Sequence, residues 1–168
     1  MVRRCFYSFH YDPDNWRAST VRHIGAIEGN QPATDNDWET VTGGANAEER
    51  IKRWIATQMQ NRTCTIVLVG AGTAKRKWIN FEIIKSWDNG LGVVGIHIHG
   101  LKDRFGQTAA MGGNPFDHIT HWPSKQPLSS LVKCYNPVGS TSQEKYAWIS
   151  QHLAKAVEDA IRIRSSNL

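Results

Sequence analysis

Few side chains in this sequence combine reactive chemistry with informative spacing. The most pointed pair lies in "KRKWINFEIIKSW", residues 75–87, where Trp78 and Glu82 are four residues apart. On a helix turning about 100° per residue, Ile79, Ile83, Ile84 and Trp87 form the packing face, and Trp78 and Glu82 share another with Lys85 beside them. Taken alone, Glu82 reads as a surface partner of Lys85, worth about 0–1 kcal/mol. Held in a cleft, the same carboxylate could stabilise developing positive charge.

The other candidates are less specific. Gly70 and Gly72 in "VGAGTAKRKW" would let backbone N–H groups approach a phosphate at a helix N-terminus, but a tight strand-to-helix turn explains them equally. The GK[ST] ending and the third glycine of GxGxxG are absent. His97 and His99 alternate, so they share one strand face, yet no third ligand stands at zinc spacing and no metal is expected. Cys5, Cys64 and Cys134 are odd in number and lack CxxC spacing, so they read as buried free thiols. No GxSxG elbow is present. The central strand ends in "IVLVG" without the Asp of a phospho-acceptor, and no flavodoxin-type phosphate loop follows the first strand.

Elements must hold these residues in place. "RRCFYSFHY" has strand character and is closed by "DPDN" turn chemistry, and "NWRASTVRHIGAI" follows as a helix with Trp16, Val21 and Ile24 at near-helical spacing and Asp14 or Asn15 as N-cap. Residues 28–46 are loop-rich, with at most a short element around "DWETV". "AEERIKRWIATQMQNR" is an amphipathic helix with an Ile51, Trp54, Ile55, Met59 stripe. "TCTIVLVG" and "GVVGIHIHGL" read as strands buried on both faces of a parallel sheet. A loop over 102–128, a last strand "LSSLVKCY" and a closing helix over "SQEKYAWISQHLAKAVEDAIRIR" complete the order. Strands alternating with helices predict a doubly wound α/β domain of about five mostly parallel strands, with helices on both faces. One domain over 1–168 is expected. Ligands of such sheets sit beyond the carboxyl ends of the strands, where strand order reverses.

Bulk properties narrow the function class. Apolar content of 40% against 21% charged residues is ordinary for a soluble globular protein. No run reaches the roughly 18–20 apolar residues of a membrane span, and Ser8, His10 and Asp12 interrupt any signal-peptide core, so a cytoplasmic location is expected. A net charge of +5 suits anionic ligands. Basic residues are scattered apart from Lys75, Arg76 and Lys77 and the Arg162/Arg164 tail, and nucleic acid is not an expected partner.

Four ordered segments carry a resemblance. "FYSFHY" followed by "NWR", then "TIVLVGAGTAKRKWINFEIIKS", "GVVGIHIHGLKDRFG" and "GGNPFDHI" span roughly residues 4–119. Together they resemble TIR domains, in which a helix carrying W…E follows a strand and small-residue turn. The likeness is closer to the TIR-like proteins of bacterial Thoeris anti-phage systems, once described as a domain of unknown function with a flavodoxin-like fold.

That resemblance implies cleavage of NAD⁺ at the nicotinamide–ribose bond and formation of an ADP-ribose-derived signal, usually a cyclic isomer, that switches on a separate effector protein. NAD⁺ would be the substrate, with no resident cofactor. By position, Glu82 matches the catalytic glutamate. Ser8, Phe9 and His10 would face the same cleft: Phe9 or Trp78 could stack on a base or nicotinamide ring, and His10 or Ser8 could hydrogen-bond ribose or phosphate. Arg17 and Lys77 within the 75–77 cluster are candidates for the pyrophosphate. Asn114 and Asp117 match family positions but could equally be turn residues. Composite sites between protomers make a homo-oligomer an option. The alternative is a non-enzymatic TIR-type interaction or nucleotide-binding module, with Glu82 a surface charge.

Overall fold

The computed structural model describes residues 2–29 and 46–168. Five parallel strands form one sheet in the order β2-β1-β3-β4-β7: β1 Arg3–Ser8, β2 Ile27–Gly29, β3 Cys64–Val69, β4 Gly92–His97 and β7 Cys134–Tyr135. A small antiparallel pair, β5 Thr120–His121 and β6 Gln126–Pro127, lies in the connection before β7. Four helices alternate with the strands: α1 Tyr11–Arg22, α2 Ala47–Met59, α3 Lys77–Asp88 and α4 Ser142–Ser165. The doubly wound α/β expectation holds.

Alternation along the strands sets which helices lie on which face. Cys64, Ile66 and Leu68 of β3 join Cys5 and Tyr7 of β1 in a core with Ala18 and Val21 of α1 and Ile149, Leu153 and Val157 of α4. The intervening residues point the other way. Phe6 packs with Ile51 and Ile55 of α2 and Trp78 of α3, while Val67 and Val69 meet Ile79 and Ile83 of α3. Every residue of β3 and β4 is buried, as strands covered on both faces require.

Glycines in β4 mark where neighbours come closest. A Cβ on Gly92 would lie 2.7 Å from the Ile161 backbone nitrogen of α4, and one on Gly95 would lie 2.8 Å from Cys134 Sγ of β7. The strand is thus thinned where helix and neighbouring strand approach it.

Several sequence expectations need correction. "DPDN" is not a turn: α1 already starts at Tyr11, and Pro13 falls in the first turn, where a missing N–H breaks no intrahelical bond. The N-cap is therefore His10 rather than Asp14 or Asn15. Trp16 is 55% exposed, because the inward face of α1 runs through Asp14, Arg17, Ala18 and Val21. The helix ends at Arg22, short of the "HIGAI" expected to belong to it, and residues 27–29 pair with β1 as β2, where the helix end and the start of a loop were expected. The element suggested around "DWETV" lies outside the described residues. "LSSLVKCY" is mostly not strand: Leu128–Ser130 forms a 3₁₀ turn, and only Cys134 and Tyr135 pair with β4. Its apolar residues Leu128 and Val132 instead fill the core beneath α3.

Candidate active site

The sheet order reverses between β1 and β3. The chain leaves β1 for β2 on one side and later leaves β3 for β4 on the other, so the carboxyl ends of β1 and β3 open the crevice this topology offers to ligands. Ser8 is the last residue of β1, and Gly70 follows the last residue of β3.

Helix α3 rises from that crevice. Its buried stripe is Trp78, Ile79, Glu82, Ile83 and Ser86. Of the expected stripe Ile79, Ile83, Ile84 and Trp87, Ile84 is exposed and the other three pack on the core. The buried face widens to Trp78 because α2 covers that flank while the sheet covers the underside. The wider buried face carries Glu82 inward. Glu82 is only 6% exposed, and Ser8 Oγ donates a hydrogen bond to Glu82 Oε2. The reading of Glu82 as a solvated partner of Lys85 is overturned.

Burial raises the Glu82 pKa to about 8, and the Ser8 hydrogen bond, which favours the charged form, works in the opposite direction. A carboxyl group poised near neutrality in a strand-end crevice has the electrostatic profile of a reacting group. Below it, Ser86 Oγ donates to Glu82 O at 2.6 Å and shares a 2.6 Å hydrogen bond with Thr65 Oγ1 of β3, fixing α3 to the sheet one turn past the carboxylate.

The β3–α3 turn is built differently from a phosphate loop. Gly70 N–H donates to Thr73 Oγ1 at 2.8 Å, so that donor closes the turn itself. Lys75 occupies the left-handed region at φ 69°, just before the helix. A Cβ on Gly70 would overlap the Asp14 carboxylate, whereas one on Gly72 would meet His10 Nδ1 at 3.8 Å, an ordinary contact. Gly70 is thus glycine for close approach to α1. Gly112 is likewise glycine for close approach: a Cβ there would overlap the Gly70 carbonyl oxygen. The "GGNPFD" stretch accordingly lies across the end of β3.

The remaining candidates fall into three groups. Phe9 and His10 lie immediately past Ser8; Phe9 stacks on Tyr11 at 6.2 Å between ring centres, and His10 faces Gly72. Trp78 is a core residue, edge-on to Phe81 at 5.5 Å among Phe6, Ile51, Ile55 and Met59. Lys77 is exposed, pairs with Glu48 and lies 5.1 Å from the centre of the Trp78 ring. Arg17 is buried, and its guanidinium donates to Leu101 O at 2.8 Å and Gln107 O at 2.9 Å, with Asp14 Oδ1 3.3 Å away. Asn114 caps the 3₁₀ turn Pro115–His118 by accepting from Phe116 N at 2.9 Å, and Asp117 is exposed on that turn.

Two features went unread in the sequence. Asp14 is buried beside Arg17 and Gly70, with burial raising its pKa and the positive charge of Arg17 pulling it back; the Asp-x-x-Arg spacing was its only signal. Gly112 was legible only as part of a paired glycine. His97 and His99 do share a face, with rings edge-on at 5.6 Å, and burial holds both below the usual histidine range. Among the described residues, no group of three or more His, Cys, Asp or Glu side chains could hold a metal ion, and Cys5, Cys64 and Cys134 are free thiols.

The fold and the inward carboxylate define the class: a flavodoxin-like parallel α/β domain of TIR type. The family described as "Thoeris protein ThsB, TIR-like domain" matches residues 6–103, and the chain belongs to that family. It is also 36% identical over 124 residues to a Bacillus cereus (strain MSX-D12) protein named "Putative cyclic ADP-D-ribose synthase ThsB1". That alignment covers 71% of this chain and 64% of the relative's length.

Proposed function

We propose that this protein cleaves NAD⁺ at the nicotinamide–ribose bond and converts the ADP-ribosyl part into a small, cyclic signal for a separate effector in anti-phage defence. The observation that carries this is the buried Glu82 carboxyl, held by Ser8 at the switch point of the sheet. The name of the Bacillus cereus relative, a cyclic ADP-D-ribose synthase, supports the choice of product class.

The chemistry follows from charge. When the glycosidic C–N bond breaks, its electron pair leaves with the nicotinamide ring, which becomes neutral, and the ribose carbon takes on oxocarbenium character. An ionised Glu82 beside the ribose stabilises that positive charge and can hold the ribose hydroxyls. A pKa near 8 means the empty site holds the carboxyl largely protonated at pH 7, and the positive nicotinamide ring of arriving NAD⁺ draws it toward the charged form. Ser8 positions the carboxylate by its hydrogen bond. Exclusion of water favours capture of the ribose carbon by a nucleophile of the same molecule, which closes the ring, over hydrolysis. Bond cleavage is heterolytic, so NAD⁺ is the substrate and the reaction calls for no redox cofactor.

The test is mass spectrometry of the products formed from NAD⁺ by the wild type and by Glu82→Gln. The expected result is nicotinamide plus a product one water lighter than ADP-ribose from the wild type, and neither from the variant. Equal turnover by both would remove Glu82 from the catalytic role, and no product from either would leave the non-enzymatic module as the better reading.

A further inference from the structure

A groove of about 550 Å³ opens at the end of β4 and the start of α4, lined by neither Ser8 nor Glu82. We propose that it is a second, separate binding site for a phosphate-bearing small molecule of nucleotide size. Its volume lies within the range of small-molecule sites.

The lining is one-sided in charge. Lys102 and Lys145 both border the groove together with His99, hydroxyl-bearing Thr108, Thr141 and Ser142 contribute neutral polar groups, and no lining residue is acidic. Among the described residues, neither Lys102 nor Lys145 has an ion-pair partner. The nearby carboxylates are already engaged: Glu144 Oε2 accepts from Ser140 N at 2.7 Å, and Asp103 Oδ1 accepts from Phe105 N and Gln107 N, each at 2.9 Å.

The positions of the cations are built into the fold. A Cβ on Gly100 would lie 2.5 Å from Lys145 Nζ and 2.6 Å from its Cδ, so the glycine is what lets the lysine lie across the β4 exit. Lys102 is fixed at its backbone, whose N–H donates to Ser142 Oγ at 3.0 Å and ties the loop to the first residue of α4. His99 Nδ1 is buried without a hydrogen-bond partner. After burial, the charges of Lys145 and Arg17 are what lower the His99 pKa, which reports a positive local field. The positive end of the 24-residue α4 adds to that field. Two uncompensated ammonium groups over hydroxyl donors suit phosphate oxygens better than a neutral or cationic ligand.

Calorimetric titration at low salt with ADP, pyrophosphate and adenosine tests this, using the wild type, a Lys102→Gln/Lys145→Gln double variant and Glu82→Gln. The wild type is expected to bind ADP and pyrophosphate but not adenosine. The double variant should bind ADP about tenfold or more weakly, as loss of charge-assisted contacts implies, while keeping the wild-type melting temperature. Glu82→Gln should bind ADP as the wild type does. Three results would overturn the proposal: no ADP binding at millimolar concentration, adenosine binding as tight as ADP, or ADP binding untouched by the lysine pair, whatever Glu82→Gln does. Loss of NAD⁺ cleavage in Glu82→Gln bears on the catalytic reading alone, so the two can fail separately.

Discussion

Ser8 Oγ donates a hydrogen bond to Glu82 Oε2, joining the last residue of β1 to the second turn of α3 across 74 positions of sequence. Both side chains are buried, so neither has water as a ready substitute. The hydrogen bond stabilises the charged carboxylate, and burial opposes it. The balance between the two sets the pH at which Glu82 can act.

Ser8→Ala should therefore shift the activity profile. On the proposed reaction the working form is the carboxylate, so NAD⁺ turnover should rise with pH through about 8 in the free enzyme. Removing the hydroxyl removes the interaction that lowers the pKa, and the acid limb of kcat/KM against pH should move to higher pH. Ser8→Thr, which keeps a hydroxyl, should restore the limb in part. A profile that falls in height without moving would assign Ser8 a packing role only.

Stability should carry the same signature. Glu82 has its pKa raised on folding, from the 4.5 of an exposed glutamate to about 8, so the folded state holds a proton the unfolded state has lost. That contribution is fully present below about pH 4.5 and is lost as pH rises through 8. The slope between is about 1.4 kcal/mol per pH unit. Glu82→Gln abolishes the titration, so between pH 6 and pH 8 the variant should gain about 2 kcal/mol relative to the wild type. Urea unfolding at the two pH values measures it, and a pH-independent difference would mean that Glu82 titrates normally.

The glycines of the β3–α3 turn should separate by function. Gly70→Ala places a methyl group on the Asp14 carboxylate and should cost about 1–3 kcal/mol, as overpacking does. Gly72→Ala meets only His10 Nδ1 at 3.8 Å and should be tolerated, within about 0.5 kcal/mol. Thermal melts of the two variants decide. Equal destabilisation would restore a common role for the two glycines, such as lining an anion site.

How much of this was readable from sequence depends on where the information lies. Strands β3 and β4 announce themselves because both faces are covered and every position but His97 is apolar or small. Helices α2 and α4 show a stripe because only one side of each is buried. The stripe of α3 was drawn too narrow, missing Trp78 and Glu82, since α2 packs on its flank and local periodicity cannot show a second neighbour. Glu82 illustrates the consequence: its letters and spacing were legible, but its burial depends on a serine 74 positions away. β2, at three residues, holds too little pattern to be seen before its partner is known, and the last strand was drawn over eight residues of which only Cys134 and Tyr135 pair. The same limit hid Asp14, whose burial follows from Gly70 and Arg17 rather than from its own neighbours.

Arg17 shows what a basic residue in this crevice does when its donors meet main-chain carbonyls. Its guanidinium reaches Leu101 O and Gln107 O, and Asp14 shares its burial, so α1 is tied to the loop that follows β4. Arg17→Ala leaves the Asp14 carboxylate buried without its cation and takes a donor from the Leu101 and Gln107 carbonyls, the second of which keeps the Asp103 N–H. The cost should reach about 3–5 kcal/mol, as for breaking a buried pair from one side. Asp14→Asn/Arg17→Met, which removes both charges, should recover part of that loss. Hydrogen exchange offers the sharper readout. The N–H groups of Gly106 and Ala109, bonded to Asp103 O and His99 O, should lose protection in Arg17→Ala before those of β3 do. If that loop keeps its protection while the whole domain loses stability, Arg17 supports the α1 core and not the loop that borders the second groove.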